Sequence, residues 1–347
     1  MSDLRPTSRQ AQPIDTRQRS LRDLRISVID RCNFRCPYCM PESEFGEDYA
    51  FLRKAHRLTN EEIVRCARIA VDLGVTKLRL TGGEPLLVKK LPELVKDLAA
   101  IPGIDDLAMT TNGLLLDKHA KALKAAGLHR LTLSLDSIDA DTFLKMSGGR
   151  GSLDGVMRGI DEAVAAGFSS LKINTVVQRG VNDHQVLDLL AHFRETPHVV
   201  RLIEYMDVGN RNNWRRDEVV PSQELRDRIN AEWPIEPMSQ NYRGEVARRY
   251  RYRDGKGEIG FITSVTAPFC GDCHRARLAA DGTLYTCLFA TQGTRLIDPI
   301  RRGASDEELK HMIARVWTRR DDRYSERRAN NTDEIPLRKV EMYRVGG

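Results

Sequence analysis

Between residues 24 and 205, short apolar segments alternate with longer stretches of helical character in a regular order. The stretches predict helices, the first of which begins near Asn60 with a capping box formed by Thr59 and Glu62. Six β/α units in this order indicate an α/β fold with a parallel sheet, curled into a partial or full barrel. The predicted strands cover residues 25–29, 77–81, 107–111, 130–136, 171–177 and 200–205, and the later helices begin near Leu91, Asp117, Ala140, Leu153 and Asp183.

The predicted strands are polar on one face and leucine-rich on the other. Because side chains alternate along a strand, K-L-R-L-T places Lys77, Arg79 and Thr81 on one face. The leucine face is expected to pack under the helices, which leaves the polar face for the barrel lumen. Closed barrels normally fill the lumen with branched apolar side chains, so a polar lumen predicts a polar ligand. A sheet exposed to water on one face is the alternative, although helices after every strand argue against it. The other lumen-facing residues expected are Thr132, Ser134, Asp136, Lys172 and Asn174.

Three cysteines lie together in C-N-F-R-C-P-Y-C, where Cys32, Cys36 and Cys39 stand at i, i+4 and i+7. These offsets also suit one buried face of a helix, but Pro37 would break that helix. A loop whose three thiolates converge on one inorganic centre fits better. Iron–sulfur clusters are usually held by four cysteines. Three ligands leave one iron open to another molecule, which indicates chemistry more than scaffolding.

A second set of three cysteines, Cys270, Cys273 and Cys287, forms C-x-x-C-x13-C. Structural zinc with His274 as fourth ligand is one interpretation, although adjacency to Cys273 makes tetrahedral closure awkward. C-type haem is another, because C-G-D-C-H matches its attachment motif, but it leaves Cys287 unexplained. A second iron–sulfur cluster is the third. The spacing alone does not separate the cluster from zinc.

Composition limits the compartment and the partners. Six of the seven cysteines fall in these two sets, the pattern of metal ligation in a reducing compartment rather than a disulfide scaffold. No apolar run approaches the roughly 20 residues of a membrane span, and the N-terminus lacks the apolar core of a secretory signal. We therefore expect a cytoplasmic protein without a membrane partner. The net charge of +6 suits an anionic ligand, and basic tracts interleaved with aromatic residues are missing, so no nucleic-acid partner is expected.

The run L-R-I-S-V-I-D-R-C-N-F-R-C-P-Y-C-M-P resembles the radical S-adenosylmethionine (SAM) enzymes, and in particular the GTP 3′,8-cyclase family of molybdenum cofactor biosynthesis. The resemblance extends from about Leu21 to the last residue. It implies an enzyme, a lyase that converts GTP to (8S)-3′,8-cyclo-7,8-dihydroguanosine 5′-triphosphate. In that family the first cluster binds SAM and cleaves it to a 5′-deoxyadenosyl radical. The radical removes the 3′ hydrogen of GTP, and the resulting carbon radical attacks C8.

Two other functions stay open beside this one. A radical SAM enzyme with an auxiliary cluster could act on a peptide, although the basic lumen favours a phosphate-bearing substrate. An iron–sulfur electron carrier is the other, but a carrier needs no open iron. No side chain is assigned a general acid–base role.

The same resemblance assigns the site residues. It implies one 4Fe–4S cluster on Cys32, Cys36 and Cys39, and a second on Cys270, Cys273 and Cys287 whose open iron binds the guanine base. His274 departs from the small polar residue expected at its position. The chain end is expected to reach into the active site through Gly346 and Gly347, bringing Arg344 or the terminal carboxylate near the substrate. The implied SAM contacts are Tyr38, Gly83 in a Gly-Gly-Glu-Pro motif, Ser134 and Met206, and the implied GTP contacts are Arg25, Arg79, Thr110, Lys172, Arg275 and Arg277.

Four segments are expected: a disordered arm over residues 1–20, a radical SAM partial (β/α)6-type TIM barrel over 21–215, a C-terminal auxiliary-cluster domain over 216–330, and a tail over 331–347. The C-terminal domain should contain a helix over 222–230 capped by Ser222, and strands over 259–264, 276–280 and 283–287 with a hairpin turn at Asp281-Gly282. The partners implied are the downstream cyclic pyranopterin monophosphate synthase and a flavodoxin- or ferredoxin-type reductant. Whether the chain forms a homodimer stays open.

Overall fold

A computed structural model describes residues 12–330 and 338–346. Within these ranges the strands form one twelve-stranded sheet. The strands that were predicted in the first half of the chain are confirmed, with bounds that differ by a few residues at most. The strands are β1 (Asp23–Ser27), β2 (Lys77–Thr81), β3 (Asp106–Thr111), β4 (Arg130–Ser134), β5 (Lys172–Val177), β6 (Val199–Glu204), β7 (Ile235–Pro237), β8 (Arg248–Tyr252), β9 (Glu258–Ile262), β10 (Arg275–Leu278), β11 (Thr283–Tyr285) and β12 (Thr294–Arg295).

Strands β1 to β6 are parallel neighbours in sequence order, as six β/α units require. Strands from the C-terminal part extend both edges of this sheet. β10 lies parallel beside β1, and β9 lies parallel beside β6. Antiparallel pairs then continue outward, through β11 and β12 on one side and β8 and β7 on the other. The partial barrel is confirmed, and the C-terminal part of the chain completes its wall.

The helices that follow the strands cover the leucine face of the sheet. Leu78, Leu80 and Leu133 are fully buried there, in one continuous apolar core. The capping box of Thr59 and Glu62 is present at the start of the first helix. The helices are α1 (Asn60–Asp72), α2 (Leu91–Ala99), α3 (Leu116–Ala125), α4 (Ala140–Ser147), α5 (Leu153–Ala165), α6 (Val186–Phe193), α7 (Ser222–Glu232), α8 (Ile297–Arg301), α9 (Asp306–Thr318), α10 (Tyr324–Asn330) and α11 (Met342–Val345).

The predicted cap of α7 is wrong. Pro221 occupies the N-cap position, and the hydroxyl of Ser222 makes no capping bond. The backbone N–H of Ser222 instead donates to Glu204 Oε1 at 2.9 Å. Glu204 is buried at the end of β6 and also accepts from the N–H groups of Val265 and Thr266. A buried carboxylate therefore replaces the local cap. The hairpin turn at Asp281-Gly282 is confirmed between β10 and β11.

The expectation of a disordered arm over residues 1–20 is wrong for residues 12–20, while residues 1–11 lie outside the described part. Asp15 and Arg19 are 2% and 0% exposed. Arg19 donates to the carbonyls of Cys270 and Asp322 at 2.7 and 2.9 Å, and the indole of Trp317 donates to the Arg19 carbonyl. Charges that look solvated in the sequence are therefore paired inside the protein.

The structure was also searched for a membrane-spanning helix. Across residues 12–330 and 338–346, no helix has both the length and the apolar character needed to cross a bilayer.

Candidate active site

A cavity of about 310 Å³ lies inside the curve of the sheet, and all six cysteines of the two sets line it. The expected polar lumen is confirmed for Arg79, Thr81, Ser134, Asp136 and Asn174, whereas Lys77, Thr132 and Lys172 do not line this cavity. One cavity therefore brings together both cysteine sets and the polar faces of the strands. The polar residues that line it from the strands and their ends include Arg25, Arg79, Thr81, Thr110, Ser134, Asp136, Asn174 and Arg201.

The first cysteine set lies on the loop after β1, and buried Arg35 shapes this loop. The guanidinium of Arg35 donates to the carbonyls of Cys32, Phe34 and Phe45 at 2.8, 2.9 and 2.6 Å. The N–H of Cys39 donates to the Cys36 carbonyl at 2.9 Å, which closes a turn around Pro37. All three thiols are free and partly exposed. The loop is therefore fixed from within, while its thiols face the cavity.

The Gly-Gly-Glu-Pro motif after β2 packs directly against this cysteine loop. A Cβ added at Gly82 would lie 2.4 Å from the Ile29 carbonyl, and one at Gly83 would lie 2.0 Å from the Arg31 carbonyl. The glycines thus permit a close approach of backbone to backbone. Glu84 ties the motif to β3, because its carboxylate accepts from Thr111 Oγ1 at 2.7 Å. Burial raises the pKa of Glu84 to about 7, although the hydrogen bonds that its carboxylate accepts lower it.

Two buried arginines hold the second cysteine set from behind. Arg19 donates to the Cys270 carbonyl, while Arg320 donates to the carbonyls of Cys273 and Thr286 at 2.8 and 3.1 Å. Asp15 lies between them, at 2.6 Å from Arg19 Nε and 3.2 Å from Arg320 Nη1. Thr286 immediately precedes Cys287. These three charged side chains therefore fix the backbone at or beside every cysteine of the second set.

The charge around Cys273 favours its thiolate, whereas burial raises the pKa of Cys287 to about 12. Arg275 Nη2 donates to Cys273 Sγ at 3.3 Å. Although burial alone would raise it, the charges of Arg275 and Arg320 lower the pKa of the Cys273 thiol to about 6. His274, by contrast, turns away, with Nδ1 at 2.8 Å from the Ser20 carbonyl, and it does not line the cavity. Among the described residues, no group of three or more candidate ligands is arranged around a single metal ion. The orientation of His274 weighs against a zinc site that uses it.

Three arginines form a row across neighbouring strands. The strand register aligns Arg277 of β10 with Arg25 of β1, and Arg25 with Arg79 of β2. Burial and the charge of Arg277 lower the pKa of Arg25, and burial followed by the charge of Arg275 lowers the pKa of Arg277 to about 10. In the part of the chain that the structure describes, no carboxylate forms an ion pair with any of the three. The row is therefore a concentration of positive charge in which none of the three arginines is ion-paired within the described ranges, although the charge of nearby Asp23 acts on all of them.

Unpaired donors point into the same region. Arg25 Nε, Arg79 Nε and Arg201 Nε are buried, and none has a hydrogen-bond partner among residues 12–330 and 338–346. Buried donors are normally satisfied, so these N–H groups suit an anionic ligand. Arg201 was missed in the sequence analysis, although it shares the cavity face of β6 with Ile203 and alternates with the buried Val200 and Leu202. That alternation would have revealed it.

The residues that the resemblance assigned are largely brought together. Tyr38, Gly83, Ser134 and Met206 line the cavity, and Arg25, Arg79, Thr110, Arg275 and Arg277 do so as well. Lys172 is the exception, since it does not line the cavity. It lies two residues before Asn174 on the same face of β5, where burial and then the charge of Arg201 lower its pKa to about 7.

The hydrogen bond between Tyr38 and Asp136 was not predicted from the sequence. Tyr38 donates to Asp136 Oδ2 at 2.7 Å, and Asp136 Oδ1 accepts from the N–H of Val176 at 2.8 Å. Burial raises the pKa of Asp136 to about 6, despite these hydrogen bonds. The Tyr38 side chain, which belongs to the first cysteine loop, is thereby held by a residue that follows β4.

The C-terminal tail enters the cavity wall. Arg277 Nη1 donates to the carbonyls of Val345 and Gly346, and Met342 lines the cavity. Gly346 has a φ of +69°, and a Cβ there would lie 2.0 Å from Thr81 Cγ2, so no other residue fits. Arg344 pairs with Asp281 at 3.0 Å and does not line the cavity. Gly347 lies outside the described residues.

Curated relatives share about half of this sequence over nearly its whole length. The GTP 3′,8-cyclase of Xanthomonas campestris pv. campestris (strain B100) is 54% identical over 97% of this chain and 98% of the relative. That of Acidothermus cellulolyticus is 52% identical over 97% of this chain and 99% of the relative. This chain belongs to the GTP 3′,8-cyclase family. A third member, from Staphylococcus haemolyticus, is 47% identical over 97% of this chain and 99% of its own length.

Two family models divide this cyclase-family chain. The radical SAM superfamily model matches residues 26–193, and the Molybdenum Cofactor Synthesis C model matches residues 198–326. Membership in the radical SAM superfamily implies a 4Fe–4S cluster and SAM. The first model ends at residue 193 and the second begins at residue 198. The domain boundary expected at residue 215 stays a prediction.

Solved structures share the fold of this cyclase-family chain at low sequence identity. Streptococcus suis SuiB bound to S-adenosylmethionine has a TM-score of 0.61 and 15% identity, covering 92% of this chain and 72% of SuiB. The anSMEcpe protein with bound AdoMet has a TM-score of 0.51 and 16% identity, covering 76% of this chain and 73% of that protein. At such identities the likeness shows the fold alone.

Proposed function

We propose that this chain is a GTP 3′,8-cyclase that uses SAM and two 4Fe–4S clusters. It converts GTP to (8S)-3′,8-cyclo-7,8-dihydroguanosine 5′-triphosphate, the first step of molybdenum cofactor biosynthesis. The observation that carries this proposal is the single cavity between two three-cysteine sets, with a row of unpaired arginines along its wall.

The thiols fit two clusters. Each set offers three free cysteines that face one cavity, and each is held by arginine donors to the surrounding carbonyls. Cys32, Cys36 and Cys39 would hold the first cluster, and the remaining three cysteines the second. Together, a bound cluster and SAM supply a 5′-deoxyadenosyl radical. The chain itself contributes binding, orientation and exclusion of water around that reactive species.

The substrate phosphates are assigned to the arginine row. Arg25, Arg79 and Arg277 present guanidinium donors to one space, and guanidinium groups bind phosphate in a bidentate manner. Arg275 extends the row toward the second cysteine set, and Lys172 adds charge at the deep end of β5. Thr110 lies 3.1 Å from Arg79 Nη1 and helps to orient it.

The SAM contacts are assigned to Tyr38, Gly83, Ser134 and Met206. All four line the part of the cavity formed by the first cysteine loop and the strand ends that follow it. Tyr38 is fixed by Asp136 and Gly83 by its packing on the cysteine loop, so their positions are set before a ligand arrives. Rigid placement of this kind limits the entropy lost on binding.

The partners and the compartment remain proposals. A flavodoxin- or ferredoxin-type protein would supply the electron, and a cyclic pyranopterin monophosphate synthase would consume the product. All seven cysteines are free, which suits the reducing cytoplasm.

The test is anaerobic incubation of the reconstituted protein with SAM, dithionite and each nucleoside triphosphate in turn, followed by mass analysis of the products. GTP should give an isomer of its own mass in the dihydro-cyclised form together with 5′-deoxyadenosine, and ATP should not. Metal analysis of the same sample should find about eight irons per chain and no zinc. Turnover of no nucleotide, or a sample with about four irons that converts GTP fully, would overturn the proposal.

A further inference from the structure

The segment Asp207-Val208-Gly209-Asn210, here called the docking loop, directly follows Met206 and has no role in the function proposed above. We propose that the docking loop is a positioning site that holds the C-terminal tail in the cavity wall during hydrogen abstraction from the substrate. The proposal rests on the proposed function for its substrate, and on the contacts between two distant parts of the chain for its geometry.

Asp207 is the charged centre of these contacts. Lys339 Nζ donates to the Asp207 carbonyl at 2.6 Å and to its Oδ2 at 2.8 Å. Arg328 pairs with Oδ1 and also donates to the Ser264 carbonyl, and the hydroxyl of Tyr324 donates to Oδ2. Asp207 and Lys339 are only 8% and 7% exposed. One carboxylate therefore links the tail to α10 in a largely water-free setting, where losing a partner is costly.

Asn210 binds the tail backbone at the other end of the loop. Its Oδ1 accepts from the N–H of Lys339 at 2.9 Å, and its Nδ2 donates to the Lys339 carbonyl. The N–H and Nδ2 of Asn210 also donate to Glu341 Oε1, at 3.2 and 3.1 Å. Recognition of both backbone groups of one residue fixes the path of the chain, and not merely the position of a side chain.

Gly209 leaves the space that this contact needs. Its φ is +67°, and a Cβ built there would lie 2.1 Å from Glu341 Oε2. The left-handed conformation favours glycine, and any side chain there would also displace the Glu341 carboxylate. The backbone of the docking loop is thus shaped to fit Glu341.

The residues after Glu341 depend on this anchor. Helix α11 begins at Met342, which lines the cavity, and Tyr343 OH lies 2.7 Å from Tyr49 OH beside the first cysteine loop. Val345 is fully buried, and Gly346 reaches Arg277. The loop therefore determines where the last described residues lie, between the residues assigned to SAM and those assigned to the phosphates.

The experiment compares Lys339→Met with Lys339→Arg, and adds Asp207→Asn. Asp217→Asn is the control, since Asp217 is an exposed aspartate whose partner Arg215 lies outside the cavity. Hydrogen exchange of the C-terminal peptide is measured by mass spectrometry in the complete, reconstituted protein. We expect that peptide to exchange about 10- to 100-fold faster in Lys339→Met and Asp207→Asn, as the loss of charge-assisted hydrogen bonds implies. Lys339→Arg should restore most of the protection, and Asp217→Asn should match the parent.

Measuring SAM cleavage and GTP conversion in the same variants then distinguishes a positioning role of the docking loop from a loss of overall stability. In Lys339→Met and Asp207→Asn, 5′-deoxyadenosine should still form while the cyclised product falls at least about tenfold, so that SAM cleavage becomes uncoupled from GTP conversion. Unchanged exchange of the C-terminal peptide, an unchanged product yield with a released tail, or equal loss of both reactions would each overturn the proposal. Hydrogen exchange of the C-terminal peptide does not depend on the substrate. If the parent protein does not convert GTP, the proposed function is wrong, but the exchange measurement still tests the contact between the docking loop and the tail.

Discussion

Replacing Asp15 by asparagine should destabilise the second cysteine set selectively. The side chain of Asp15 is fully buried, and those of Arg19 and Arg320 are each 1% exposed. The change leaves the buried guanidinium of Arg19 without a counter-ion, while Arg320 keeps only Asp322, at 3.1 Å from its Nε. Breaking a buried ion pair from one side costs about 3–5 kcal/mol of the free energy of unfolding. Asparagine keeps the shape and one acceptor, so we expect the lower end, about 3 kcal/mol.

Asp15→Asn should also disturb the positions of the second set of cysteines, because the two arginines bind the backbone around them. Arg19 and Arg320 bind the carbonyls of Cys270, Cys273 and Thr286, and Asp15 accepts a hydrogen bond from each of the two guanidinium groups. Iron in the anaerobically reconstituted protein should therefore fall from about eight toward about four per chain, and 5′-deoxyadenosine formation should continue. Denaturant unfolding, iron analysis and product analysis of one preparation provide the three measurements.

A matched control lies on the same two segments. Asp321 pairs with Arg17, but their side chains are 52% and 27% exposed. Exposed pairs contribute at most about 1 kcal/mol, so Asp321→Asn should leave stability and iron content near those of the parent. The reasoning is refuted if Asp15→Asn and Asp321→Asn lose stability equally, or if Asp15→Asn keeps all of its iron.

Four further predictions follow from the cavity. Cys36→Ser should abolish 5′-deoxyadenosine formation, whereas Cys287→Ser should keep part of it and lose GTP conversion; the reverse pattern would contradict the cluster assignments. Arg277→Ala should weaken GTP binding by about 1.5–3 kcal/mol and guanosine binding far less, measured by equilibrium dialysis. The lowered pKa of Lys172, about 7, means that its charge is lost as pH rises above 7. GTP affinity should then fall by up to about tenfold per pH unit, and Lys172→Met should flatten that profile. Deleting the two terminal glycines should preserve the melting temperature, iron and SAM cleavage but stop GTP conversion, and full activity would refute a role for them.

Much of the fold and of the site could be predicted because the signals are local. The strands of the barrel carry strict alternation, so Arg79 and Ser134 could be assigned to the lumen from neighbouring leucines alone. The cysteine sets are visible as spacings of a few residues. The position of Lys172 could not be predicted, because alternation fixes which face a side chain occupies but not how deep it lies along the lumen.

The contacts of the chain ends could not be predicted, since nothing local marks them. Asp15 meets Arg320 over a separation of 305 residues, and the docking loop meets Lys339 over more than 100. In the sequence, Arg19 and Asp207 look like ordinary surface charges. Their burial depends on partners that tertiary packing brings to them, and a single sequence contains no pairwise signal of this kind.

The order of the strands places the two cysteine sets at opposite ends of the lumen. Cys32 follows β1, so the first set lies at the carboxyl ends of the parallel strands, whereas Cys273 precedes β10, which runs parallel to β1. The second set therefore lies at the opposite end of the lumen. The five residues of β1 between these levels span roughly 16 Å at about 3.3 Å per residue. A ligand that contacts both ends has to be long, and polar along its length to meet the arginine row. A nucleoside triphosphate meets both conditions, because its base and its phosphates lie at opposite ends of the molecule, and under the function proposed above SAM would lie nearer the first set.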